Sequence, residues 1–110
     1  MSYSPDRNEF RNLLAANPGT IVIKFGPDWC GPCKRLEPLL QQLTANLPPT
    51  VQYIQMDLDT DLGAFLSAKK QISAVPVFLV YKKGNLTPYA DQCMTGPSEA
   101  EVGNFFLHLK

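Results

Sequence analysis

The sequence has no excess of charge of either sign: ten lysines and arginines stand against ten aspartates and glutamates in 110 residues. That balance gives no electrostatic footing for nucleic acid or for an anionic membrane surface. Long apolar runs are missing too. The longest, Val75 to Tyr81, is interrupted by Pro76 and falls far short of the ~20 residues that a membrane helix needs. The opening residues Met1-Ser2-Tyr3-Ser4-Pro5-Asp6 have neither a basic nor an apolar stretch, so no secretory signal is expected. Cysteine is scarce, and a total of three is too few and too odd for a disulfide scaffold. With no export signal, an intracellular thiol with a chemical role is the better account, and a cytoplasmic location goes with it. No repeat, low-complexity tract or composition break divides the chain. Residues 1–110 are therefore expected to form one domain, long enough to hold a single core.

What is present is a series of periodic segments punctuated by proline and glycine. Asp6 to Ala16 predicts a helix, with Asp6 and Glu9 at capping-box spacing and Phe10, Leu13 and Leu14 on one face. Asn17-Pro18-Gly19 ends it. Thr20 to Phe25 is β-branched and continuously apolar apart from Lys24, the pattern of a strand covered on both faces. Cys30 to Asn46 predicts a helix with Leu36, Leu39, Leu40, Leu43 and Leu47 as its stripe, kinked at Pro38. Val51 to Asp57 predicts a strand, Thr60 to Lys69 a helix and Pro76 to Lys82 a strand. Lys83-Gly84-Asn85 turns the chain into a further strand, Leu86 to Cys93. Ser98 and Glu101 then form a capping box for a last helix striped by Val102, Phe105, Phe106 and Leu109. Strands separated by helices imply parallel crossovers, and the last pair implies an antiparallel hairpin. The expected fold is α/β, a mixed sheet between helical layers.

The chemistry is concentrated in Trp29-Cys30-Gly31-Pro32-Cys33-Lys34, where the first strand turns into a helix. Two cysteines three positions apart on one turn can oxidise to a disulfide with little movement. Cys30 falls at the helix N-terminus, where unpaired amides and the positive end of the helix dipole favour a thiolate. Cys33 lies one turn deeper and is better shielded. That asymmetry makes Cys30 the nucleophile and Cys33 the resolving thiol. Gly31 would allow a close backbone approach, and Pro32 sits in the first turn, where no donor is required.

These residues resemble the active site of the thioredoxin family, whose Trp-Cys-Gly-Pro-Cys-Lys motif is matched throughout Trp29–Lys34, with Pro38 at the place of the family's kinking proline. Ala74-Val75-Pro76 before an apolar strand, followed by Lys83-Gly84, is similar to the family's cis-proline loop and hairpin, and Gly96 corresponds to the glycine that completes its groove. The resemblance covers essentially the whole chain. It implies a thioredoxin fold, a central mixed sheet of about four to five strands flanked by about four helices. It also implies reduction of protein disulfides through a redox-active Cys30–Cys33 disulfide, with no bound cofactor or metal. Trp29, Gly31, Pro32, Val75, Pro76 and Gly96 would line or support a groove that holds an extended peptide. The implied partners are protein disulfide substrates and an NADPH-dependent flavoprotein reductase, with the protein a monomer that binds neither nucleic acid nor membrane.

The sequence departs from the family beneath that motif. The usual buried aspartate six residues before the first cysteine is Lys24 here, and the lysine usual on the neighbouring strand falls near Gln55. Lys24 near Cys33 would favour the thiolate by its charge or act as a base when neutral; the simpler expectation is that it reaches solvent from the strand end. A zinc site of Cys30, Cys33, Cys93 and His108 lacks the second-pair spacing that such sites show, and His108 is expected to be exposed in the last helical turn. Cys93 is read as a small buried apolar residue, with a regulatory thiol as its alternative. A non-catalytic binding module that uses only the groove stands as the rival reading, favoured by Lys24 and Gln55 alone. An oxidase or isomerase fits less well, because Gly-Pro between the cysteines resembles reducing members.

Overall fold

Thr20–Phe25, β-branched and without polar alternation, becomes the strand about which the rest is arranged. The computed structural model describes residues 7–26, 31–56, 60–69 and 76–109, without the side chains at positions 32, 33, 67 and 68. Along the chain these form α1 (Arg7–Ala15), β1 (Thr20–Phe25), α2 (Gly31–Thr44), β2 (Val51–Met56), α3 (Asp61–Ala68), β3 (Val77–Lys82), β4 (Gln92–Thr95) and α4 (Glu99–Leu107). The strands make one sheet in the order β2-β1-β3-β4. This is the expected α/β arrangement of a four-stranded mixed sheet with four helices.

Two expectations are corrected. The β1–α2–β2 crossover is parallel, with Thr20 opposite Val51, but β3 runs antiparallel to β1, with Phe25 opposite Val77. The reason is where α3 leaves the chain. Met56, Phe25 and Val77 share one row, so β3 starts at the sheet end where β2 finishes. A helix of eight residues rises only ~12 Å, and β3 begins again at the same sheet end. The second correction concerns the hairpin. Pairing begins only at Gln92, not at Leu86, because the intervening loop is held by its own side chains. Asn85 Nδ2 donates to the Tyr89 carbonyl at 2.8 Å and to Asp91 Oδ2 at 3.0 Å, while the Lys82 amide donates to Asp91 Oδ2 at 2.8 Å. The Asx and carboxylate bonds thus replace ladder bonds, and Pro88 has none to give.

Strand parity sorts the core into two layers. Ile21, Ile23, Phe25, Ile54, Met56, Val77, Leu79 and Tyr81 face α1 and α3 through Phe10, Leu14, Leu62 and Leu66. Val22 and Phe78 face α2 and α4 through Leu36, Leu40, Val102 and Phe106. The α4 capping box forms as expected, the Glu101 amide donating to Ser98 Oγ at 3.2 Å and the Ser98 amide to Glu101 Oε1 at 3.1 Å.

Entry into β1 is tightly specified. Asn17 is buried, its Nδ2 donating to the Tyr81 carbonyl and its Oδ1 accepting from the Gly19 amide, both at 2.9 Å. A Cβ at Gly19 would lie 2.9 Å from the Thr50 carbonyl oxygen, which is backbone and cannot swing aside. Gly19→Ala should therefore lower stability by ~1–3 kcal/mol, read as a lower urea midpoint with an unchanged slope.

Candidate active site

The rows of the sheet bring two candidate residues, Pro76 and Gly96, to the end where β1 finishes. Phe25, Val77 and Thr95 lie side by side on β1, β3 and β4, so Gly26, Pro76 and Gly96 are the next positions outward. Pro76 is buried, and its carbonyl accepts the Gly96 amide at 2.8 Å. Gly96 has φ 56°, in the left-handed region where a side chain is strained, which is how the chain turns back toward Pro76 after β4. At this same sheet end β1 finishes, and α2 begins at Gly31. Trp29, Cys30 and Val75 lie outside the described residues, as do the side chains of Pro32 and Cys33; the backbone of both belongs to the first turn of α2. Gly31 is exposed and a Cβ there would meet none of the described residues within 4 Å. Among those residues no close approach of this chain's own backbone calls for the glycine, in contrast to the sequence-based expectation.

Lys24 does not reach solvent; its side chain is 2% exposed. The expectation fails because β1 is flanked by strands on both edges and its Lys24 face lies under α2, leaving no edge along which the stem could run out. Its Nζ donates to Glu37 Oε1 at 3.0 Å, and Gln55 Nε2 donates to the same oxygen at 2.9 Å. Register explains the convergence: Lys24 is opposite Gln55 on β2 and Phe78 on β3. Partial burial pulls the Glu37 carboxyl upward, but the hydrogen bonds from Lys24 and Gln55 and the Lys24 charge outweigh it and hold it below its ordinary value. Tyr53, two residues before Gln55 on the same face, has a buried hydroxyl without a hydrogen-bond partner among the described residues. Burial and then the Glu37 charge push that hydroxyl well above the usual phenol range.

The helix start, the buried proline and the glycine turn at one sheet end are the frame of a known family. Residues 3–105 match the family model described as Thioredoxin. The chain belongs to the thioredoxin family. It is 31% identical over 75 residues to a thioredoxin-like protein of Synechocystis, a match spanning 68% of this chain and 70% of that one. It is 35% identical over 78 residues to the thioredoxin of Chlamydia trachomatis, spanning 71% of this chain and 72% of that one. Against chloroplastic relatives of Arabidopsis and rice the match spans about half of their length. A solved thioredoxin of Plasmodium falciparum superposes with a TM-score of 0.79 at 22% identity over 100% of both chains, which establishes the fold. With the thioredoxin family comes the enzyme class, oxidoreductases of thiol–disulfide exchange, which need no bound cofactor.

Other sequence-based expectations divide. Cys93 is exposed, not buried, because β4 is the edge strand; its Sγ lies 3.6 Å from Thr95 Oγ1. His108 is exposed at the end of α4, as expected, with Nδ1 2.8 Å from the Asn104 carbonyl oxygen. Glu37 was not among the candidates, although a signal existed. It lies four residues after Cys33 and between Leu36 and Leu40, an acidic residue on an otherwise apolar stripe.

The ion pair sets two outcomes. Lys24→Met alone removes the cation but strands only the half-exposed carboxylate, whereas Glu37→Leu strands a buried ammonium and should cost several kcal/mol, about 3–5 for a broken buried pair. Urea titration of the two variants checks the order. Because the Glu37 carboxyl is depressed in the folded state, its contribution is present above its unfolded value of 4.5 and is lost as pH falls through the folded value. The gap in urea midpoint between wild type and Lys24→Met/Glu37→Leu should accordingly shift against the wild type between pH 5 and pH 3.

Proposed function

We propose that this protein reduces disulfides of substrate proteins by dithiol–disulfide exchange through Cys30 and Cys33. What supports it is that β1 ends, and the chain runs on through Cys30 into α2, at the sheet end where the Gly96 amide donates to the Pro76 carbonyl. The Cys30 thiolate attacks a substrate disulfide; a Cys30–substrate bond forms, the substrate bond breaks and one substrate sulfur leaves as thiolate. Cys33 then loses its proton and bonds to Cys30, releasing the second substrate sulfur. The substrate gains two electrons and the dithiol becomes the Cys30–Cys33 disulfide. An NADPH-dependent flavoprotein reductase would return those electrons.

Trp29 and the Val75–Pro76 loop would hold an extended peptide. Such a site needs one copy of the chain, so a monomer is proposed, without nucleic acid or membrane. A reducing compartment suits it, and the cytoplasm is proposed on that ground; relatives include proteins named as chloroplastic and mitochondrial.

Insulin reduction with dithiothreitol tests the activity. Wild type should accelerate precipitation well beyond dithiothreitol alone, whereas the non-catalytic groove module would match the reductant. Cys33→Ser should accumulate mixed disulfides through Cys30 on non-reducing gels, and Cys30→Ser should accumulate none; trapping only in the latter reverses the two roles. Pro76→Ala, at the base of the groove, should raise KM for a protein substrate more than it lowers kcat.

A further inference from the structure

Glu37 accepts hydrogen bonds from two strands at a single oxygen, Lys24 of β1 at 3.0 Å and Gln55 of β2 at 2.9 Å. It is thereby a strap from α2 to the two strands beneath it. Its position along the helix gives the strap a purpose. Cys33 lies four residues earlier, so its backbone position shares the helix face of Glu37, between the sheet-facing residues Leu36 and Leu40 and the helix start. Pro38 follows immediately and has no amide hydrogen, so the Lys34 carbonyl lacks its ladder donor. The helix ladder is therefore weakest between the turn that carries Cys33 and the rest of α2. The side-chain strap ties the helix to the sheet at Glu37, immediately beside that place. A lysine 2% exposed on a central strand is costly to bury, and an apolar residue would fill the space without that cost.

We propose that Glu37 is a positioning residue for disulfide exchange: held by Lys24 and Gln55, its carboxylate fixes the first turn of α2 against the sheet and so aligns Cys33 for attack on Cys30. The inference rests on the exchange reaction proposed above. It concerns the second step alone, in which the Cys33 sulfur, having lost its proton to solvent, bonds to the Cys30 sulfur as the Cys30–substrate bond breaks. Cys30 attack on the substrate is completed before alignment of Cys33 matters.

Stopped-flow reaction of the reduced protein with 5,5′-dithiobis(2-nitrobenzoate), in a Cys93→Ser background because the exposed Cys93 would release a coloured thiolate of its own, separates the two steps: attack releases one coloured thiolate and resolution the second. The variant is Lys24→Met/Glu37→Leu, which removes the strap while leaving no stranded charge, so folding is retained. The expected result is a first release within about twofold of the Cys93→Ser parent and a second slowed about tenfold, the scale on which small misplacement of reacting groups acts. Circular dichroism and the urea midpoint serve as the check on folding. A second release at the parent's rate, or equal slowing of both releases, overturns the inference. The functional reading fails differently: a parent that releases both thiolates but does not speed insulin reduction defeats the reductase assignment and leaves the alignment of Cys33 standing. If the double variant does not fold, Gln55→Leu cuts one bond of the strap at an exposed hydrogen bond, and the same two rates decide.

Discussion

Strand β1 is hydrogen-bonded on both edges and covered on both faces, and the other elements take their places from that constraint. Its odd residues, Ile21, Ile23 and Phe25, need α1 and α3; its even residues, Val22 and Lys24, need α2. A strand in this position cannot be an edge, so two neighbours must pair with it, one parallel through α2 and one antiparallel beyond α3. Its far end then becomes the one point from which the helix carrying the dithiol can start. Fold and site are consequences of the same central strand.

The polar cluster beneath α2 follows from the same burial. Most groups in such a position are apolar, since desolvating an ammonium is expensive and its pairing only offsets the loss. Lys24 is tolerated because one carboxylate arrives from the helix and one amide from the next strand, all converging on a single oxygen. Replacing the family's usual acid–lysine pair by Lys24 and Gln55 does not leave a charge alone in the core; it moves the acid from the strand to the helix. The Tyr53 hydroxyl, buried beside this cluster without a hydrogen-bond partner among the described residues, sits on a ring packed edge-on against Phe106.

The two layers differ in how they hold the site. On the α2 and α4 side, Phe106 packs edge-on against Tyr53 of β2 and Phe78 of β3 at centroid distances of 5.9 and 6.4 Å, which holds α4 against the sheet. On the other side, Phe10 meets Tyr81 edge-on at 5.4 Å, and the Tyr81 hydroxyl donates to the Pro88 carbonyl at 2.7 Å. That bond fastens the long β3–β4 loop at the sheet end opposite Pro76 and Gly96. The irregular chain between β3 and β4 is thus held away from the end where Pro76 and Gly96 meet.

By itself the sequence determined every helix and strand to within a few residues, the exception being the residues between Leu86 and Gln92. Local signals suffice for this: β-branched runs, helical stripes and capping boxes such as Ser98–Glu101 act over four or five positions. It also determined the family, because Trp29–Lys34 and Val75–Pro76 are contiguous motifs whose chemistry needs neighbours in the chain. Tertiary structure alone decided the direction of β3, the exposure of Cys93 and the burial of Lys24. Each depends on which strand stands beside which, and sequence spacing does not carry that information. Lys24 is the clearest case: whether a lysine at a strand end reaches water is settled by the helix laid over it, and its partner Glu37 comes from that helix, thirteen residues away.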